Sequence, residues 1–112
     1  MLLPMLLLLL GPQDPAAANE ADIRCVAVLS ATAATAPEEL KSGLTGGVLF
    51  FYGRIAGRSP DFDVQAAMMR LMEADPSGEG LNADRPRCGQ EMQTRGAYLM
   101  EMGKKILAAA SD

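Results

Sequence analysis

Apolar residues recur along this chain three and four apart, the helical spacing, in four stretches separated by glycine, proline and polar breaks. The first runs from about Ala21 to Ala34. It sets Cys25, Val28 and Leu29 on one side, with Ile23, Val26 and Ala27 close by, and ends in the small residues Ser30 to Thr35. The second opens at Ala36-Pro37-Glu38-Glu39, where proline suits a first helical position and the carboxylates oppose the positive end of the helix dipole. Leu40, Leu44, Val48, Phe51 and Ile55 then share a face. Gly43, Gly46, Gly47 and Gly53 lie in the same stretch, and each costs ~1 kcal/mol relative to alanine in a helix interior. Either another helix approaches closely over these glycines, or the helix breaks at Gly46-Gly47. A strand over Val48 to Tyr52 would have no second strand to pair with. A membrane span is excluded by length, because Lys41 and Arg54 bound only a dozen uncharged residues against the ~20 a span needs.

Gly57-Arg58-Ser59-Pro60 reads as a helix stop, an N-cap serine and a first-turn proline, which predicts a tight corner into a third helix from Pro60 to about Ala74. Phe62, Met69 and Met72 lie on one arc of it, with Ala66 between, and Val64, Met68 and Leu71 on the next. Apolar over more than half its girth, this helix is expected at the centre of the fold. A polar loop from Asp75 to Pro86 leads to Arg87-Cys88 and a fourth helix. There Cys88, Met92, Leu99, Met102 and Ile106 fall at the offsets of a single buried stripe, interrupted by Arg95. Glu91 with Arg95, and Glu101 with Lys105, are favourable i,i+4 pairs on the wetter side. The elements predict an all-α fold: one small four-helix domain.

The amino-terminal residues have a different character. Met1 to Met5 and the leucines through Leu10 have the length of a signal-peptide core and are too short to cross a bilayer. Gly11, Pro12 and Pro15 follow, then Ala16-Ala17-Ala18, a small-residue cleavage pattern that places the cut after Ala18, with Ala21 as the second choice. No Lys or Arg precedes the leucines, a departure from the usual basic start. The expected organisation is therefore a signal peptide over 1–18 and a single helical domain over 19–112, exported to the bacterial periplasm or the extracellular space and free of the membrane once cut.

Composition narrows the function. Residues 19–112 keep all ten basic and thirteen acidic side chains, a net charge of about −3 spread along the sequence, whereas nucleic-acid binding needs clustered cationic charge. Two cysteines in an exported chain, with none left over, pair as a Cys25 to Cys88 disulfide that staples the first helix to the last. With no C-x-x-C and no histidine, a redox or metal-binding role for them has little support. The loop from Asp75 has oxygen-bearing side chains at positions 1, 3 and 5 and glycine at 6, as a calcium loop does, but its twelfth position is Pro86 instead of a bidentate glutamate. Six methionines beyond the leader are expected to fill gaps in a small core, although thioethers also bind Cu(I) and exposed methionines grip varied partners. Arg54 and Arg58, one turn apart beside Tyr52, are candidates for an anion or partner contact; the plainer reading is a solvated helix end neutralised by Asp61 and Asp63. Serine lies in no nucleophile-elbow context, so no catalytic constellation emerges and no cofactor is implied. A carboxylate pair such as Asp61 and Asp63 is better explained as helix-start charge.

A cysteine opening the first helix, Phe51-Tyr52-Gly53-Arg54-Ile55-x-Gly57-Arg58-x-Pro60 in the middle, and Arg87-Cys88-x-x-Glu91 opening the last helix resemble small exported two-cysteine proteins of alphaproteobacteria. That resemblance implies a compartment and brings no activity. The two-cysteine, all-helical, exported plan is also similar, in architecture alone, to periplasmic acid-stress chaperones of the HdeA type, which hold unfolding clients at low pH. The expectation is a noncatalytic protein acting by contact with a protein partner or client, in one form a stress holdase. The alternative is a small-ligand or Cu(I)-binding module using Met100 and Met102.

Overall fold

The computed structural model describes residues 14–111, all-helical apart from short turns, with no strand among them. The leucine run lies outside the described residues. Five helices follow one another: α1 Pro15–Thr35, α2 Glu38–Arg58, α3 Val64–Ala74, α4 Glu79–Ala83 and α5 Arg85–Ala110. The expected four become five because the polar loop after Asp75 holds a helical turn of its own. Gly78, at φ +76°, starts α4 in the left-handed region that a side chain would strain. The Asp75 carboxylate closes this loop by accepting from the Leu81 amide at 3.1 Å and the Ser77 hydroxyl at 3.3 Å. Asp75 thus works as a local turn former. No group of three metal-ligating side chains forms among the described residues.

α1 begins six residues earlier than periodicity suggests. Asp14 caps it, accepting from the Ala16 amide at 3.2 Å, and Pro15 occupies the first turn. Ala16 to Ala18 therefore form helix in this chain, and Ala18 and Asn19 are buried. Asp22, Ile23, Cys25, Val26, Val28 and Leu29 are buried as well. These residues cover an arc of about 220° around the helix, wider than one neighbour can bury, so α1 needs several. It has them, packing against each of the other four helices. The central helix is α1 and not α3. α3 starts at Val64, capped by Asp63 through the Ala66 amide at 2.9 Å, and buries only Ala67 and Leu71. Phe62, Val64 and Met68 are half-buried beside them, while Met69 and Met72 face solvent. Ser59, expected to cap α3, ends α2 instead.

α1 and α2 form an antiparallel hairpin joined through Ala36 and Pro37. Three contacts fix the register: Asn19 meets Arg58, Asp22 meets Arg54, and Leu29 meets Gly47. The paired residue numbers add to 76 or 77, as a straight antiparallel pair requires. α2 runs unbroken through Gly46 and Gly47. Gly47 gives the thioether end of Met92 its place: a Cβ there would displace that flexible side chain and press on Leu29. Gly43, Gly46, Gly53 and Gly57 accommodate no such neighbour, because a Cβ on any of them would meet nothing within 4 Å.

The disulfide joins Cys25 to Cys88 with both residues fully buried and Cα atoms 5.5 Å apart. Cys88 lies in the first turn of α5 as expected. Cys25 sits in the middle of α1, because that helix starts earlier. A bridge across 63 residues removes loop entropy from the unfolded chain, worth about 4 kcal/mol on the loop-length relation.

Candidate functional site

Arg54 and Arg58 project from the last two turns of α2 toward the start of α1. The carboxylate between them belongs to the chain itself. Asp22, 1 % exposed, accepts from Arg54 Nη2 at 2.5 Å and Nε at 3.2 Å, and from Arg58 Nη2 at 3.1 Å. Arg54 also donates to Glu91 of α5 and lies over the rings of Phe50 and Phe51, 5.0 and 5.3 Å from their centroids. Arg58 donates to Asn19 Oδ1 at 2.7 Å, and Asn19 Nδ2 donates to Ser59 Oγ at 3.0 Å. Every buried side-chain nitrogen and oxygen among the described residues has a partner. The Asp22 hydrogen bonds hold the Arg54 guanidinium above the ordinary arginine pKa; partial burial opposes this and Glu91 adds to it. Arg54 therefore stays charged, and the cluster is a permanent tie between α1, α2 and α5.

Asp61 and Asp63 take no part in this cluster, and Asp63 caps α3 instead. Glu91 reaches across to Arg54 rather than along its own helix to Arg95. Asp22 and Asn19, the buried polar residues among those described, do not stand out in the sequence, because an Asp and an Asn near a helix start read as ordinary N-terminal polarity. Their periodic signal was available: Asp22 lies one turn before Cys25 and Val26, on positions that the core claims.

A polar cleft of about 570 Å³ opens between the start of α1 and that of α5, edged by Glu20, Arg24, Arg54, Asp84, Arg87 and Glu91. Its arginines are engaged: Arg24 pairs with Asp84 at 2.6 Å, and Arg87 reaches the Ala21 carbonyl at 3.2 Å and Asp84 at 3.5 Å. The cleft is a rim of matched charge.

The apolar surface lies elsewhere. Of the expected buried stripe on α5, only Cys88 is buried, with Met92 half-buried against Gly47. Leu99, Met102 and Ile106 are exposed, and so are Tyr98, Met100 and Leu107, with Leu99 at 63 % and Leu107 at 70 %. The core-filling reading of the methionines is corrected with it. Met68 and Met92 pack against the core, whereas Met69, Met72, Met100 and Met102 face solvent. Met100 and Met102 stand about 200° apart around the helix, so their thioethers diverge and do not make one Cu(I) site. Between α2 and the base of α5, below its exposed half, lies an apolar groove made of two clefts that share Gly43 and Met92. One end is a cleft of about 550 Å³ at the α1–α2 turn, with Leu40, Leu44 and Met92 in its walls. The other, about 230 Å³, is floored by Gly43, Gly46 and Gly96 and walled by Phe50 and Leu99.

The disulfide fits an oxidising compartment, and no helix among the described residues is long and apolar enough to cross a membrane. No protein-family model, curated protein or solved structure matches the chain.

Proposed function

We propose that this is a noncatalytic exported protein that works by protein contact, through the uncovered half of α5 and the groove below it. One observation carries the reading: six large apolar side chains, Tyr98 to Leu107, stand in water on a single helix whose first turns are welded to the core. Monomeric soluble proteins rarely leave so large a contiguous apolar surface open unless a partner covers it. Two structural features serve that role. The disulfide and the Asp22 cluster hold the base of α5 still, and methionines give the surface side chains that repack against different shapes.

A stress holdase is the specific form to test. The oxidised protein should suppress the aggregation of an unfolding client such as reduced insulin, and a Leu99→Glu, Ile106→Glu variant should not. Light scattering at neutral and acid pH, with a dye for apolar surface in parallel, reads the outcome. Equal suppression by both proteins, or none by the unaltered one, removes the holdase form.

A further inference from the structure

The uncovered half of α5 is built for one kind of cover. Residues 98–110 rise about 20 Å along the helix axis. Placed at 100° per residue, their large apolar side chains span an arc of about 200°, from Tyr98 round through Leu99 to Met100, leaving Glu101, Lys104, Lys105 and the small Ala108 on the remainder. Within that arc lies a ridge of small residues: Gly89, Gly96, Gly103 and Ala110 recur every seven positions. A Cβ on any of the three glycines would meet nothing within 4 Å. Each glycine weakens the helix relative to alanine. A lipid surface gains nothing from that loss, whereas a second helix gains close backbone approach. A seven-residue repeat also specifies a helical neighbour running nearly along the axis, at roughly 20°.

An arc of about 200° is too wide for a single helix to cover. The groove beside α5 supplies two walls, with a glycine floor on each: Gly43 and Gly46 from α2, and Gly96 from α5. One chain thus presents both a helix in need of a two-walled groove and a two-walled groove in need of a helix. That is the self-complementarity of a two-fold dimer. Deepening the protein-contact reading above, on which this rests, we infer that the occupant is a second copy of this chain. The projecting half of α5 from each copy lies in the α2–α5 groove of the other. Covering an arc of about 200° on a helix of ~5 Å radius and 20 Å length buries ~340 Å². Each copy contributes both a helix and a groove, giving at most about 680 Å² per copy, close to the ~800 Å² of a standard stable interface.

Sedimentation equilibrium on the oxidised protein from about 1 to about 100 µM should give twice the monomer mass. Leu99→Glu with Ile106→Glu, which charges the inserted helix, and Gly46→Leu, which fills the groove floor, should each raise the dissociation constant at least tenfold. Helix content by circular dichroism should be unchanged, since all three positions are exposed. A monomer throughout that range overturns the inference, as does a dimer that survives both variants. If the unaltered protein is monomeric yet suppresses client aggregation, and the glutamate variant does not, the second copy is ruled out while the protein-contact reading stands. If neither mass nor aggregation responds, both fall.

Discussion

Two apolar helical stretches of this protein meet opposite surroundings. Residues 22–29 of α1 are closed in by all four other helices, whereas residues 98–110 of α5 touch almost nothing. Helix length and the position of the disulfide account for the difference. Cys25 is the middle residue of a 21-residue helix, so α1 extends only about 15 Å to either side of it. Cys88 is the fourth residue of a 26-residue helix, so α5 runs about 33 Å beyond the same bond. The crossing point is pinned near one end of the longer helix, and the far end overshoots the hairpin. Apolar sequence alone does not bury a helix; something of matching length must lie beside it.

The strongest way to break this contrast is to cut the pin. Replacing both cysteines by serine should cost about 4 kcal/mol in urea unfolding. If the variant's midpoint matches that of the oxidised parent, the bridge contributes nothing and the base of α5 is held by other means. Next in size, Leu29→Ala should cost about 3 kcal/mol, because the side chain is buried between α1, α2 and Met92. The same measurement on Leu99→Ala should show less than about 0.5 kcal/mol at concentrations where the chain is monomeric. Similar losses at the two leucines would mean that the far half of α5 is covered within one chain.

Between those extremes lies the polar tie. Asp22→Ala removes the carboxylate shared by Arg54 and Arg58, whose side chains are 30 % and 27 % exposed and keep some access to water. That access reduces the 3 to 5 kcal/mol typical of a fully buried broken pair to about 2 kcal/mol. A loss below about 0.5 kcal/mol would show that both guanidiniums simply turn outward. The sign of the pH dependence follows from Arg54. Its folded pKa is raised, so its contribution is complete at every pH below the unfolded arginine value and disappears only as pH rises through the alkaline folded value. Between pH 5 and 9, therefore, Arg54 titration should leave unfolding free energy flat, and any slope there must come from other groups.

Much of the fold was legible in the residues. Helical spacing without strand pairs gave an all-α chain, and the cysteine count gave the bridge that the structure contains. Lost were the features that depend on which turn meets which. Ser59-Pro60 carries the sequence grammar of a helix start, yet Ser59 ends α2 and holds Asn19, and Asp63 takes the cap. The stripe from Cys88 to Ile106 has the spacing of buried residues along its whole length, yet burial stops after Met92. Arg54 and Arg58 are recognisable as a pair, but their counter-charge comes from Asp22, 32 and 36 positions away.

Periodicity, caps and cysteine number determined the helices and their one covalent link, because these depend on neighbours within a turn or on a pairing with no alternative. Tertiary structure decided which faces are core. The antiparallel register of α1 and α2 put Asp22 under two arginines, packed Gly47 against Met92, and left Gly43 and Gly46 open. The depth of Cys25 within α1 decided where α5 crosses the hairpin, and with Cys88 so near the start of α5 the rest of that helix overhangs. Spacing along a helix states which side chains act together, whereas whether they meet protein or water depends on the length and placement of distant elements.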